Sequence, residues 1–233
     1  MIVVDDVSVT AEGPAGEMTI LDGVSCTLTE HRVGIIGDNG SGKSTLLKLI
    51  DGLVEPSRGR VTVDGFDTVR QGREVRRRVG YVFTEALAQL LMPTPVEDVE
   101  LSLRASVRDR TARTAAAQSW LDRWEVGHVA RRSVYDISGG ERQLVALVSV
   151  LAVEPAIVLA DEPTTLLDLT NRLRLRETFR GLTQQLVVAT HDLGFAADMD
   201  RVLVLAEGRI VYDGAAADAI AYYRELARET AAR

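Results

Sequence analysis

The sequence predicts an α/β fold: a parallel core sheet covered by helices, with an N-terminal antiparallel β subdomain and an inserted helical subdomain. Three observations predict it. Short apolar, β-branched runs at 33–36, 79–83, 156–160, 186–189 and 202–205 alternate with helical stretches such as 44–52 and 171–182, the pattern of buried parallel strands joined by helices. The first 28 residues instead cluster β-branched side chains around one turn. From Pro93 to about Val150 the β-branched runs thin out and Ala, Arg, Leu and Asp predominate, as in an inserted block of helices.

Taken in order, Ile2-Val3-Val4 and Val7-Ser8-Val9 precede a break at Glu12-Gly13-Pro14-Ala15-Gly16, and the pattern resumes over 18–28, so the opening reads as short strands joined by a turn. Residues 33–36 are a short buried strand, 44–52 the helix behind it, and 60–65 a further strand with its turn. Five arginines between Arg70 and Arg78 read as the solvated face of a surface helix, because the chain as a whole is acidic. Helices follow over 96–105 and 110–124. Ser138 with Glu141 three residues on is a capping box ahead of the apolar helix through 144–152. After the later strands, 215–233 reads as an amphipathic helix. No repeat, linker or heptad array interrupts the order, so residues 1–233 make one composite domain.

Composition narrows the function classes. A chain of 233 residues, 46% hydrophobic, can bury one large core or a core with a smaller subdomain. Its net charge of −7 argues against general affinity for nucleic acid or anionic lipid. One cysteine, Cys26, excludes an internal disulfide and a Cys-based metal cluster, and reads as a small core residue. The longest apolar stretch, 144–153, contains Ser149 and ends at Glu154-Pro155, short of the ~20 residues a bilayer requires. The first residues lack the basic flank and apolar region of a secretory signal, so a cytoplasmic location is expected.

Gly37-Asp38-Asn39-Gly40-Ser41-Gly42-Lys43-Ser44 fits G-x-x-x-x-G-K-[ST] in full, between a strand and a helix that begins with Ser44 and Thr45. Glycines there let the backbone fold tightly around a triphosphate and aim N–H groups at it, and the helix N-terminus adds a favourable dipole. Lys43 is the counter-charge and the Ser44 hydroxyl a ligand for Mg²⁺. The fold is therefore expected to be that of a phosphate-loop NTPase. The strand at 156–160 ends in Asp161 and Glu162. Asp161 suits the metal and Glu162 the attacking water, where a carboxylate base contributes ~10²–10⁴ in rate. Ser138, Gly139, Gly140 and Glu141 offer a second anion site beside their capping role. It reaches the phosphate held by Lys43 only if the chain folds back or dimerises.

As a set these residues resemble the nucleotide-binding subunits of ABC transporters. Ile137-Ser138-Gly139-Gly140-Glu141 is similar to the signature motif, Asp161-Glu162-Pro163-Thr164 to the second Walker motif, Leu167-Asp168 to the D-loop and Thr190-His191-Asp192 to the switch histidine, in the family's order and over nearly the whole chain. The resemblance implies two subunits enclosing two ATP molecules head to tail, each nucleotide lying between one chain's phosphate loop and the other's Ser138-Gly139-Gly140. Glu141 and Asp168 join the implied nucleotide-binding set. Glu162 and His191 are the implied catalytic residues, His191 contacting the γ-phosphate and orienting water. The implied domain plan is a nucleotide-binding α/β core with an antiparallel β part over 1–83 and 154–233, and a helical signature subdomain over 84–153.

Within the family, Val82-Phe83, Gln89-Leu90, Pro93-Thr94 and Val96-Glu97-Asp98-Val99 resemble the energy-coupling-factor ATPases, which drive vitamin and transition-metal uptake. The partners implied are a membrane coupling protein, a substrate-capture membrane protein and a second ATPase subunit, a second copy or a close paralogue, at the cytoplasmic face of the membrane. Two positions depart from the pattern. Thr84 stands where the family has glutamine; it can still ligate water or Mg²⁺, and Gln89 can share that role. No aromatic precedes Phe66, although the family places an adenine-stacking ring near Thr10 or Ala11, which leaves Val9 or Met18 to cover the base. Thr84 together with the run 160–168 is most similar to the biotin-uptake branch. The expected function is the ATP-hydrolysing subunit of an energy-coupling-factor importer for a vitamin, biotin first, or a transition-metal ion. The alternatives are a soluble ABC ATPase of assembly or repair, and the ATPase of another ABC importer or exporter. Intact Glu162 and His191 disfavour a purely regulatory ATP-binding module.

Overall fold

The structure, a computed structural model, describes residues 1–13, 16–165 and 167–231. In chain order the first elements are β1 (Ile2–Gly13), β2 (Gly16–Leu28), β3 (Arg32–Ile36), α1 (Lys43–Asp51), β4 (Arg58–Val63), β5 (Phe66–Asp67), α2 (Gly72–Arg76) and β6 (Val79–Val82). Helices α3 (Ala86–Gln89), α4 (Pro95–Leu103), α5 (Arg110–Arg123) and α6 (Gly139–Leu151) follow. The chain finishes through β7 (Ile157–Asp161), α7 (Leu169–Arg180), β8 (Gln185–Ala189), α8 (Leu193–Ala196), β9 (Arg201–Ala206), β10 (Arg209–Gly214) and α9 (Ala216–Ala231). These elements form two compact units, one of Met1–Val79, Ile157–Glu162 and Leu182–Arg233, the other of Gly80–Ala156 and Pro163–Gly181. Among the described residues no helix is long and apolar enough to cross a membrane.

The first unit holds an antiparallel sheet in the order β2-β1-β4-β5 and a mainly parallel one containing β10-β9-β3-β8-β7. Where short opening strands were expected, β1 and β2 are long partners whose register slips between Val4 and Val7, between Val7 and Val9, and between Val9 and Thr10. Each slip is an irregularity that breaks strict alternation, which is why the sequence pattern reads as fragments. Asp6 takes a left-handed backbone there, and the freed amides of Asp6 and Gly23 are satisfied by the hydroxyls of Ser25 and Ser8. In the parallel sheet β3 pairs with β8 and β9, and β8 with β7; Ile35 stands opposite Ala189, and Ala189 opposite Asp161. This register sets the carboxyl ends of β3, β7 and β8 side by side, the edge at which parallel α/β sheets bind ligands. Behind it α1 buries Leu46, Leu47, Leu49 and Ile50 and stops at Gly52 in the left-handed conformation.

The Arg-rich stretch contains the short helix α2, where Glu74 pairs with Arg77 and Arg78, and Arg78 lies over the Phe66 ring. Cys26 is half-buried, and burial pushes its thiol up to about 12, so it stays a neutral, unreactive group.

The second unit is helical around α6. Buried Asp98 ties it together, accepting from the amides of Leu91 and Met92 with one oxygen and from the Ser149 hydroxyl with the other. Gln89 is a second tie. Its oxygen accepts from the Phe83 amide and its nitrogen donates to the Ala146 carbonyl. Both ends of that amide are thus engaged within this unit. Helix α6 starts where the capping box places it: Ser138 is the N-cap, and Gly139 and Gly140 are its first two residues. A Cβ on Gly140 would meet the Asn171 side-chain amide at 2.3 Å, so a larger residue there would have to displace that side chain.

Candidate functional site

The phosphate loop of the first unit is built by its local sequence. Strand β3 ends at Ile36, the loop turns through 37–42, and α1 opens at Lys43. Gly42 precedes the helix with φ 102° and no side chain caps the helix start, so its first amides are open to an anion. A Cβ at Gly42 would also strike the Leu21 side chain at 2.5 Å. The Ser41 hydroxyl is buried with no partner among the described residues, a polar group left over in a phosphate-sized turn.

Lys43 is 6% exposed, and its Nζ donates to the carbonyls of Gly37 and Asp38 at 2.8 and 2.9 Å. Burial holds its pKa below the ordinary lysine value, while the charges of Glu162, Asp161 and Asp38 pull it back up. Ser44 Oγ donates to Asp161 Oδ1 at 2.8 Å, which brings together the two predicted metal ligands of this unit. An alcohol and one carboxylate suit a hard cation that completes its shell with water and phosphate oxygens, so these residues fit Mg²⁺. Among the described residues no cluster of three or more His, Cys, Asp and Glu forms an all-protein metal site.

Glu162 follows β7 in a left-handed conformation, φ 48°, a cost that a packed site imposes on a non-glycine residue. The bond from its amide to the Ala189 carbonyl at 2.8 Å holds it there. Its side chain is 13% exposed, with Oε1 3.9 Å from Lys43 Nζ and Oε2 2.7 Å from His191 Nδ1. The His191 side chain is 55% exposed. Lys43, Ser44, Thr45, Asn39, Gly40 and Glu162 line one cleft of about 330 Å³ together with Met18, Thr19 and Ile20 of β2. Of the two residues expected to cover the base, Val9 is buried and Met18 is 57% exposed at this cleft.

The remaining predicted residues belong to the second unit. Ser138 Oγ accepts from the Glu141 amide, and Glu141 Oε2 accepts from the Ser138 amide at 2.8 Å and hydroxyl at 2.7 Å, completing the capping box. These bonds from Ser138, helped by His128 at 2.9 Å, hold the Glu141 carboxyl below the usual range. His128 had no role in the sequence reading. Asp168 is the N-cap of α7, accepting from the Asn171 amide at 2.8 Å. Thr84 lies two residues past the end of β6, next to Phe83 whose amide Gln89 holds. In the first unit Tyr223 was missed as well: its hydroxyl donates to Asp38 of the phosphate loop at 2.6 Å across 185 positions.

Residues 21–165 match the family model described as ABC transporter. The chain is 40% identical over 212 residues to the biotin transport ATP-binding protein of Rhizobium etli, covering 91% of this chain and 94% of that one. It is 40% identical over 209 residues to the cobalt import ATP-binding protein of Syntrophus aciditrophicus, 84% of this chain and 72% of the relative. Among solved structures, a dimeric ATP-binding cassette in a post-hydrolysis state with ADP and Pi superposes with a TM-score of 0.83 at 30% identity, covering 93% of this chain and 99% of that one.

Proposed function

The chain belongs to the ABC transporter family as one of its ATP-binding domains, and from that premise we propose that it is the ATP-hydrolysing subunit of an energy-coupling-factor importer carrying biotin, another vitamin or a transition-metal ion. The observation that carries the reading is the set of contacts at the phosphate loop, Lys43 with Glu162, Glu162 with His191, and Ser44 with Asp161. Relatives named for biotin transport, for cobalt import and as energy-coupling factor ATPases support the cargo classes, and biotin is favoured. We assign the nucleotide to residues 37–45 and the base to the exposed face of Met18. Lys43 gives up its carbonyl contacts to the β and γ phosphates. Ser44 and Asp161 would hold Mg²⁺, which would neutralise phosphate charge; Thr84 is the further ligand we assign to it.

Glu162 accepts the proton of the attacking water, and His191 fixes the carboxylate through Nδ1 while its free nitrogen faces the γ-phosphate. Ser138, Gly139, Gly140, Glu141 and Asp168 act on the nucleotide of a second ATPase subunit, a copy of this chain or a close paralogue. The division into a core over 1–83 and 154–233 and a helical part over 84–153 belongs to the same reading. The membrane coupling protein holds the chain at the cytoplasmic face of the membrane. The substrate-capture protein completes the importer, and no nucleic acid takes part. Co-purification from native membranes tests this: a membrane coupling protein retained with the chain, and ATP-dependent biotin uptake by the reconstituted complex, support it. Soluble assembly factors in its place would reject it.

A further inference from the structure

We propose that Tyr223, on the terminal helix, is a positioning residue for the phosphate loop: its hydroxyl holds the Asp38 carboxylate aside so that the Lys43 amine stays available to the nucleotide. The inference rests on the reading of the cleft as an ATP site. Tyr223 Oη donates to Asp38 Oδ1 at 2.6 Å, the length of a charge-assisted hydroxyl–carboxylate bond. The Asp38 carbonyl accepts from Lys43 Nζ at 2.9 Å. One residue of the loop is therefore gripped at both ends, its backbone by the lysine and its side chain by the tyrosine.

The phenol comes from a braced element. Helix α9 buries Ala216, Ala219 and Ile220, and Tyr222 stacks on Tyr212 of β10 with ring centroids 5.0 Å apart. Burial, then the bond to Asp38, pushes the Tyr223 hydroxyl up to about 12, so it remains a donor at neutral pH. Asp38 is exposed, and its charge already acts on Lys43. Freed from the phenol, that carboxylate competes with a triphosphate for the same amine and sets a like charge beside it. Asp38 itself is legible as part of the loop, but nothing local to it points to a partner 185 positions away.

Tyr223→Phe removes the hydroxyl and keeps the ring. We expect the Kd and KM for Mg-ATP to rise about five-fold, the size of one lost hydrogen bond, with kcat and Tm unchanged. In the Asp38→Ala background the same change should move KM by less than about twofold, since no carboxylate remains to restrain. An unaltered KM in Tyr223→Phe, or an equal rise in both backgrounds, overturns the proposal. So does a joint fall of kcat and Tm at constant KM, which marks a merely structural role. Failure of the unaltered chain to bind ATP would sink the reading of the cleft and this proposal with it, whereas equal binding by the unaltered chain and Tyr223→Phe sinks the proposal alone.

Discussion

Replacing Glu162 by glutamine removes one charge and almost no volume, which makes its consequences separable. The left-handed backbone suits glutamine as well as glutamate, and the amide oxygen still accepts from His191, so the fold and the histidine stay in place. Two quantities change. The first is proton acceptance: a carboxylate base is worth ~10²–10⁴ in rate, roughly 3–5 kcal/mol of barrier. The second is the pairing with Lys43 at 3.9 Å. At an effective dielectric near 20 this is an attraction of about 4 kcal/mol. Much of it is recovered, because Lys43 keeps both carbonyl bonds and the charges of Asp161 and Asp38. A bound triphosphate restores the rest, and a neutral residue 162 repels it less. Glu162→Gln is therefore expected to bind ATP as tightly as the unaltered chain or more so, to accumulate the closed dimer, and to hydrolyse ~10²-fold more slowly or worse. Equilibrium nucleotide binding and single-turnover hydrolysis on the assembled complex measure the two effects independently. Hydrolysis within about threefold of normal would refute the base assignment, and a parallel loss of binding and turnover would show that Glu162 supports the site only by pairing with Lys43.

Gly139 is exposed in the first turn of α6, where an added carboxylate suits the helix dipole, so Gly139→Asp should fold normally, bind nucleotide as a monomer and fail to close with ATP; undiminished ATP-driven dimerisation by light scattering would count against a site shared between subunits. Thr84→Gln is expected to lower uptake more than ATP hydrolysis in reconstituted vesicles, by overcrowding a segment adapted to threonine, and equal proportional losses would reject a coupling role for this position. Asp51, 6% exposed at the end of α1, has its carboxyl pushed up to about 7 by burial, against the opposing pull of Arg76. The folded chain thus holds that proton more tightly than the unfolded one, and stability falls as pH rises from ~4 through ~7. Asp51→Asn should gain on the order of 2–4 kcal/mol at pH 8 and nothing near pH 4 in denaturant titrations; an equal gain at both pH values would show that the carboxyl is not the cause.

Sequence alone determined what depends on near neighbours. The phosphate loop, the acids that close β7, the capping box of Ser138 and Glu141, and the strand and helix periods all act within a few residues, so residue types and spacings state them in full. The irregular β1–β2 pairing already lay beyond that range, since a register slip erases the alternation by which a strand is read. Pairings between distant segments left still less trace. Ser44 meets Asp161 across 117 positions and Tyr223 meets Asp38 across 185, because parallel strand register and the seating of α9 brought them together. Gly140, legible as part of an anion site, also lies against an Asn171 side chain that a Cβ would have to displace. A hydrogen bond or a steric limit between distant residues is fixed by the path of the folded backbone, and only the tertiary structure chose those partners.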